Sequence, residues 1–487
     1  MRRGHQFFGF SFFQLLILVC LPIITAAQVP LEFSWVSAPE IYQERYYHTS
    51  TLLPDNRLLV TGGRRGFEPL RTVRIFDPAA NGGVGEWTDF PDMLDRRERH
   101  QATLMTPGWV LISGGLDGVP IRGSEMIDPS TRQYKKLPDM NDVRYEHSAT
   151  ILSGGKVLVV GSKDYDRGLP TCEIFEPLET ANGNAPQWRW RRTGSLSFGR
   201  GKHRAVKLQD GRVMVIGGVH NYYPTATCEV FDPATETWSR MASMYFPREG
   251  HTATLLTDGR IIVTGGDIGG AEVATCEIFD PSKNGGMGEW KLMSALIYPR
   301  KNHTATSINN RFIVLTGAWR GGQGDRSTEM MDTWRSNPQW YLGPTMLADR
   351  SNHSATLLAD GRLMLIGGEW TGSQGATSAC DISEKTLAVS GLEPPTDFAI
   401  TFIAPNPFSS RVRIACLVPA GANFNVTIHD YLGRAVRNLT GDAVSAGTNV
   451  LLWDGLNDSR QALPAGSYYC LLRTSGTSVV RPVQLLR

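Results

Sequence analysis

Seven histidines recur along the chain at intervals typical of a repeated structural unit. They are His48, His100, His147, His203, His251, His303 and His353, separated by 52, 47, 56, 48, 52 and 50 residues. Imidazole nitrogens bind zinc or copper and exchange protons near neutral pH. A metal site needs several of them in one place, whereas one histidine per repeat disperses them. We therefore favour a buried imidazole with one hydrogen-bond partner, and predict no metal, no cofactor and no catalytic residue in this set.

An arginine lies three residues before each histidine. The seven are Arg45, Arg97, Arg144, Arg200, Arg248, Arg300 and Arg350. Seven guanidinium groups could form a basic ring that holds carboxylates at the mouth of a channel. Ion pairs with acids that also recur once per repeat are the favoured alternative. Those acids are Glu125, Glu173, Glu229, Glu277 and Glu329.

Six cysteines follow the N-terminal segment. Cys172, Cys228 and Cys276 stand in a repeated Thr-Cys-Glu phrase, and Cys380 stands in a related one. Thiols at one repeat position favour apolar filling over ligation or bridging. Cys416 and Cys470 lie on separate strand-like runs, and the sequence leaves open whether they form a disulfide.

Each histidine begins a pattern that predicts a β-hairpin. A strand-like run leads to a turn such as Asp258-Gly259, and a second apolar run ends at a glycine fourteen residues after the histidine. These glycines are Gly62, Gly114, Gly161, Gly217, Gly265, Gly317 and Gly367. A third run ends at an Asp-Pro in several repeats. An aromatic residue thirteen positions before each histidine then marks a fourth strand, as Trp238 and Trp290 do.

The register of the aromatic residues predicts a closed ring. The last repeat, from His353 to Asp381, has no following tryptophan, while Trp35 precedes the first histidine without a repeat of its own. Seven repeats of four strands are typical of a propeller, which the strand near Trp35 would close by completing the last blade. The glycine pairs and spaced aromatics over residues 31–386 resemble kelch repeats. We therefore predict an all-β fold, a seven-bladed kelch β-propeller followed by a small β-sandwich.

Function is expected in the loops that do not repeat. The connections between second and third strands differ in every repeat and should emerge on one face with the blade-to-blade crossings. Aromatic, arginine and histidine side chains there suit stacking on sugar rings or anchoring a protein partner. The candidate ligand-binding residues are Arg64, Arg65, Phe67, Tyr165, His220, Tyr222, Tyr223, Trp319, Arg320 and Trp370. These rings could instead simply cover their own blades.

The net charge indicates which partners are not expected, and the N-terminal segment indicates where the protein is located. The 487 residues contain 49 Lys+Arg and 47 Asp+Glu, so a basic surface for nucleic acid is not expected. Residues 1–27 read as a signal peptide, with Arg2 and Arg3 before an apolar stretch and Ala27 at the cleavage point. An uncleaved anchor is the alternative, and we favour cleavage, which leaves no transmembrane segment. We expect a secreted or outer-surface protein.

The repeat ends near residue 386, and residues 387–397 read as a linker. Residues 398–487 form short alternating runs that predict a small sandwich. The phrases Pro405-Asn-Pro-Phe408 and Trp453-Asp-Gly455 resemble those of immunoglobulin-like modules in secreted bacterial proteins. These include type IX secretion sorting domains and flagellar hook-cap proteins. The resemblance implies a bacterial source, a sorting or attachment role and secretion machinery as a partner.

Two kinds of function remain beside a purely structural role in the envelope. The favoured hypothesis is an exported propeller that binds a protein or a carbohydrate. The alternative is a propeller enzyme acting on sugars, either a mutarotase or epimerase, or a copper radical oxidase. An oxidase of that kind needs a tyrosine joined to a cysteine and two histidine ligands, and Tyr47-His48 is the only adjacent Tyr-His pair.

Overall fold

The structure is a computed structural model that describes two parts of the chain. The first is residues 31–384 without 107, 164–167, 179–186, 336 and 372–374. The second is residues 399–486 without 405–407, 410, 419–423, 431–433, 440–446 and 475–477. The predicted leader (1–27), the whole predicted linker (387–397) and Tyr165 therefore lie outside the described residues.

Within the described part, the first region forms seven antiparallel sheets, called blades 1 to 7 here. Six of them have four strands, and in blade 6 the hairpin Glu369–Thr371 with Gly375–Ala376 extends the four-stranded sheet to six. Blade 1 contains Thr49–Leu52, Leu58–Thr61, Val73–Asp77 and Glu86–Phe90, and blade 2 contains Gln101–Leu104, Val110–Ser113, Ser124–Asp128 and Gln133–Lys136. Blade 3 contains Ser148–Ile151, Val157–Val160, Cys172–Leu178 and Gln187–Thr193, and blade 4 contains Arg204–Lys207, Val213–Ile216, Cys228–Asp232 and Thr237–Met241. Blade 5 contains Thr252–Leu255, Ile261–Thr264, Cys276–Asp280 and Glu289–Leu292, and blade 6 contains Thr304–Ile308, Phe312–Arg320, Gln323–Asp332 and Trp340–Leu342. Blade 7 contains Ser354–Leu357, Leu363–Ile366, Cys380–Ser383 and the N-terminal strand Trp35–Ala38.

Short elements decorate the blades. Two-residue or three-residue strands extend the second and third strands as hairpins at Arg64–Arg65 with Glu68–Pro69, Leu116–Asp117 with Val119–Pro120, Val219–His220 with Tyr223–Pro224, and Glu369–Thr371 with Gly375–Ala376. One helical turn spans Ala80–Gly83, and two 3-10 turns span Ser153–Gly155 and Asn284–Gly286. No helix in the described residues is long and apolar enough to span a membrane.

The N-terminal strand closes the ring as the aromatic register predicts. Trp35 pairs with Ser383 and Ala38 pairs with Cys380, both antiparallel. The first strand of each blade contacts the first strands of its two neighbours, and Ser354–Leu357 of blade 7 contacts Thr49–Leu52 of blade 1. The expected all-β propeller, closed by its own N terminus, is confirmed.

Apolar side chains between blades form the core. The second strands are buried along their whole length, as at Val157–Val160, since neighbouring blades cover both faces of each sheet. The fourth-strand indoles reach across these interfaces, and Trp290 Nε1 donates to the carbonyl of Ala242, 2.8 Å away in blade 4. Cys172, Cys228, Cys276 and Cys380 are buried and free, as expected for apolar filling.

The repeated arginines form ion pairs rather than a basic ring. In blades 2 to 6, Arg97, Arg144, Arg200, Arg248 and Arg300 pair with the predicted acids Glu125, Glu173, Glu229, Glu277 and Glu329 at 2.6–2.8 Å. Arg350 pairs with Asp381, which the sequence analysis did not assign. Arg45 departs from this pattern and has no carboxylate partner among the described residues. The predicted pairs are therefore confirmed for five arginines, Arg350 has an ion pair with an acid that was not predicted, and the prediction is wrong for Arg45.

Six of the seven repeated histidines form the predicted hydrogen bond, in each case to a hydroxyl of the previous blade, and the prediction is wrong for His251. His100 Nε2 lies 2.8 Å from Thr61 Oγ1, and His48 Nε2 lies 2.8 Å from Ser354 Oγ across the ring closure. Burial lowers the pKa of His48 to about 3, so the imidazole is neutral. Each glycine fourteen residues later packs on the next histidine. At Gly62 an added Cβ would lie 2.9 Å from Cε1 of His100.

The C-terminal region is a small sandwich of two antiparallel sheets. One contains Ala399–Ala404, Val412–Val418 and Gly447–Trp453, and the other contains Phe424–His429, Ala435–Asn438, Gly466–Thr474 and Ser478–Leu485. Its core surrounds Trp453, which is fully buried. Cys416 and Cys470 lie in this core as free thiols, so the disulfide that the sequence left open is not formed in this structure.

Candidate functional site

A ring of left-handed residues surrounds one mouth of the central channel. The residue before each repeated histidine has φ between 50° and 61°. These residues are Tyr47, Arg99, Glu146, Lys202, Gly250, Asn302 and Asn352. In the described chain, six of their N–H groups donate to the carbonyl of the preceding member, as Arg99 does to Tyr47 at 2.9 Å. The backbone is thus fixed while the side chains differ in every blade. We call these seven residues the mouth ring.

The charged members of the mouth ring form a connected cluster. Arg99 Nη1 lies 2.8 Å from Glu146 Oε1, and the Arg99 guanidinium lies 4.0 Å from the centre of the Tyr47 ring. Lys202 Nζ lies 2.7 Å from Glu249 Oε2. Burial opposes the charge on Lys202, but Glu146 and Glu249 outweigh it and raise its pKa. Burial raises the pKa of Tyr47, which therefore stays a protonated hydrogen-bond donor.

The second-to-third-strand hairpins lean against this mouth. Tyr46 pairs with Arg64 through the backbone, and Lys301 pairs with Trp319 in the same way. Side chains reinforce the contact, since Arg64 Nη1 lies 3.1 Å from Glu98 Oε1. The crossings and these hairpins therefore lie on one face, as predicted.

Blade 4 alone places an arginine at the first-strand position after the histidine. The Arg204 side chain is exposed to solvent, and many protein atoms nevertheless lie around it. Both features are expected of a side chain that lines a central channel. Burial lowers the pKa of its guanidinium, and Glu146 opposes this effect. Arg204 Nε donates to the carbonyl of His251 at 2.7 Å. Because blade 4 has no hydroxyl here, neither nitrogen of His251 has a hydrogen-bond partner among the described residues.

The predicted aromatic side chains are exposed at hairpin tips. Phe67 is 66 % exposed in blade 1, Tyr222 and Tyr223 are 67 % and 73 % exposed in blade 4, and Trp370 is 49 % exposed in blade 7. Rings exposed in this way are available to stack on a ligand or to anchor a partner. They lie on the face that carries the mouth ring.

The other predicted residues divide between that face and local packing. Arg65 forms an exposed ion pair with Glu44 at 3.2 Å. His220 Nδ1 lies 2.7 Å from the carbonyl of Gly199, and its ring packs edge-on against Phe198, which indicates a structural role. Trp319 is half-buried.

A polar cleft of about 310 Å³ opens beside Arg320 in blade 6. The Arg320 guanidinium is paired with Asp325 and lies 4.5 Å from the centre of the Tyr298 ring. Further lining comes from Gln323, Arg326, Ser327, Thr328, Thr345 and Asp349. The backbone of Gln323 pairs with Thr371, so the hairpin that carries Trp370 adjoins this cleft.

Sequence reasoning missed the charged mouth ring. It sought function in the variable connections between second and third strands and did not consider the two variable positions before each histidine. Non-repeating charges beside a repeated residue were the available signal, as in Glu98-Arg99 and Glu146.

Comparison with known proteins supports the fold. A kelch motif matches residues 201–245, and an FlgD Ig-like domain matches residues 409–477. These two matches support a kelch-repeat protein with an immunoglobulin-like domain at its C terminus. Among solved structures, it resembles one described as a novel fungal alcohol oxidase with catalytic diversity among the AA5 family, in complex with copper. That match has 14 % identity and a TM-score of 0.61, and covers 94 % of this chain and 100 % of that chain. At this identity it supports the fold alone. No curated protein matches the chain.

The described residues of the kelch propeller do not fit a copper radical site. Such a site needs a thiol beside a tyrosine and two imidazole ligands, whereas Tyr47 has Arg99 against its ring and His48 points to Ser354. The propeller thiols lie on third strands and donate hydrogen bonds to backbone carbonyls, as Cys380 does to the carbonyl of Ser378. Within the described chain, no three His, Cys, Asp or Glu side chains are grouped as metal ligands. The absence of a cofactor stays a prediction.

Proposed function

We propose that this kelch propeller binds a carbohydrate on the face that carries the mouth ring. The observation that carries the proposal is the presence of four exposed aromatic side chains at hairpin tips around a charged mouth: Phe67, Tyr222, Tyr223 and Trp370. Aromatic faces stack on the apolar faces of sugar rings. Charged and amide groups nearby supply hydrogen bonds that fix orientation.

The charge arrangement supports a polar ligand that carries both donors and acceptors. Arg99 with Glu146, Lys202 with Glu249 and Arg64 with Glu98 place both signs around the mouth. Each ion pair fixes the positions of its two side chains, so little side-chain entropy is lost when a ligand binds. Because both signs of charge alternate in these three pairs, this part of the mouth is not suited to a strongly acidic or a strongly basic partner.

Binding to a glycan array tests this proposal. Trp370→Ala and the double variant Tyr222→Ala/Tyr223→Ala should each lose about tenfold in affinity, since one stacked ring contributes about 1–1.5 kcal/mol. Tyr469→Ala removes an exposed ring from the C-terminal domain and should bind like the unchanged protein. Failure of the unchanged protein to retain any glycan, or equal binding by all variants, overturns carbohydrate recognition and favours a protein partner.

A sugar-converting enzyme is the second candidate. It is supported by Glu146, whose second carboxylate oxygen has no hydrogen-bond partner among the described residues and which attracts the channel-facing Arg204. A carboxylate beside a guanidinium could move a proton on an acidic sugar bound in the channel. Anomerisation of acidic sugars by the unchanged protein, lost in Glu146→Gln, would support turnover over retention.

We also propose that the chain is exported and that its C-terminal domain sorts or attaches it at the cell exterior. The FlgD Ig-like match over residues 409–477 and the sandwich fold support this role. Secretion machinery would be the partner of this domain. Deletion of residues 398–487 should leave the propeller inside the envelope, and unchanged delivery to the medium or surface would refute the proposal.

A further inference from the structure

Blade 1 differs from the other six blades at the position of the buried acid. The acids of blades 2 to 7 pair in register with the second-strand residue that lies two positions before the repeated glycine, as Glu277 does with Val263. In blade 1 the corresponding pair is Val60 with Arg74. An arginine therefore replaces a carboxylate at a position where six blades have Glu or Asp.

The replacement leaves an excess positive charge inside blade 1. Arg45 is 0 % exposed, and its guanidinium donates only to uncharged oxygens: the Gly62 carbonyl at 2.9 Å, Thr72 Oγ1 at 3.1 Å and the Gln43 carbonyl at 3.3 Å. No carboxylate within the described chain lies at ion-pair distance from it. Burial first, and then repulsion from Arg74, lowers its pKa to about 9. A guanidinium holds its proton strongly, so a counter-anion is the readier way to neutralise this charge.

The backbone beside Arg45 offers the donors that the missing acid would use. In the other blades the acid accepts a hydrogen bond from the residue three before the arginine, as Glu277 Oε2 does from Tyr245 N–H at 2.7 Å. It can also accept from the next residue, as Glu277 Oε1 does from Phe246 N–H at 3.2 Å. Tyr42 and Gln43 stand at these two positions in blade 1.

The position is reachable from solvent. Tyr42 is 87 % exposed, and the Arg74 guanidinium lies 5.3 Å from the centre of its ring. Arg74 is 18 % exposed and pairs with Asp89, which is 78 % exposed. The exposed carboxylate of Asp89 neutralises Arg74 but leaves Arg45 uncompensated.

We propose that blade 1 binds a small oxyanion, such as sulfate, phosphate or a free carboxylate, between Arg45, Arg74 and the N–H groups of Tyr42 and Gln43. The anion supplies the two oxygens and the negative charge that Glu or Asp supplies in the other blades. Charge-assisted bonds to a planar guanidinium are the strongest that such an anion can form in a protein.

Thermal unfolding of the full chain in low-salt buffer tests the site. Sulfate, compared with sodium chloride at equal ionic strength, should raise Tm in proportion to the logarithm of its concentration above the dissociation constant, by about 4 °C at a hundred times that constant. Arg74→Glu restores the acid, so it should raise Tm without sulfate and abolish this response. Arg71→Glu changes the same charge on an exposed side chain of blade 1 and should keep the response.

A neutral variant and a second measurement keep the proposal falsifiable if Arg74→Glu does not fold. Arg74→Gln removes one guanidinium and should weaken sulfate binding at least tenfold in isothermal titration, which should give one sulfate per unchanged chain. A response that persists in Arg74→Glu or Arg74→Gln, or an unchanged protein that shows no saturable sulfate effect, overturns the proposal.

Discussion

Closure of the ring can be tested by adding a single methyl group at Gly367. This glycine ends the second strand of blade 7 and has φ +58°. An added Cβ would overlap the carbonyl oxygen of Arg45 in blade 1 and lie 3.1 Å from Cε1 of His48. Gly361 is a matched control, since it lies in the same blade at φ +85° and an added Cβ would contact nothing within 4 Å.

The two substitutions share a local cost and differ only in the contact across the closure. A left-handed alanine costs about 1–2 kcal/mol, and the restricted unfolded chain returns about 0.4–1 kcal/mol of that. Both variants should therefore lose about 1 kcal/mol. At Gly367 the overlap adds an overpacking cost of about 1–3 kcal/mol, because a backbone carbonyl cannot move without its blade. We expect Gly367→Ala to be about 2 kcal/mol less stable than Gly361→Ala.

Equilibrium urea unfolding of the full chain, followed by tryptophan fluorescence, measures the difference. The midpoint should fall much further for Gly367→Ala than for Gly361→Ala at similar slopes. Equal midpoints would mean that blade 7 does not pack on blade 1, and the reasoning about a closed ring would be refuted.

The remaining predictions concern the buried polar groups. The free energy of unfolding should fall as pH drops below 6.5, by up to about 1.4 kcal/mol per pH unit for each histidine. Burial lowers the pKa of His48 and His203 to about 3, so below pH 6.5 the unfolded chain binds protons that the folded chain does not. A urea midpoint that does not fall between pH 7.5 and 5.5 contradicts this. Glu277→Gln should lower the free energy of unfolding by about 3–5 kcal/mol, because it leaves the buried Arg248 guanidinium uncompensated. Glu289→Gln, at an exposed pair, should lower it by less than about 0.5 kcal/mol in the same urea assay. Similar losses for the two variants would argue against the ion-pair interpretation. Burial raises the pKa of the Cys172, Cys228 and Cys276 thiols to about 12, so they should react with a disulfide reagent only after unfolding, and rapid labelling of the native protein would show that they are accessible.

The sequence predicted the scaffold because each repeated residue has one physical task. The glycine at Gly62 and its equivalents must pack without a side chain against the next blade, and six of the seven histidines bond to a hydroxyl in the previous one. Where only one residue type can fill a position, the same residue recurs in every blade. The spacing between these recurring residues therefore reveals the repeat and hence the fold. The lone Trp35 revealed the closure for the same reason, since an aromatic there completes the blade that begins at His353.

The candidate site could be predicted only in part. Exposed rings such as Trp370 and Tyr223 stand out by residue type in variable loops, but their distance from the axis depends on hairpin lengths that the sequence does not give. Arg74 illustrates the opposite difficulty. A break in a repeat is visible in the sequence, yet its meaning needed the register with Val60 and the burial of Arg45.

The mouth ring explains how a repeat protein can carry a specific site. The left-handed backbone and the hydrogen bonds around the axis hold each member in place whatever its side chain is, as Tyr47, Arg99 and Glu146 show. Packing therefore places little demand on these side chains, and they can vary to suit a ligand. The repeated residue next to each of them, the histidine, is buried and fixed by its neighbour blade. Variation concentrated directly beside a fixed position is thus the sequence signal to look for at the axis of such a propeller.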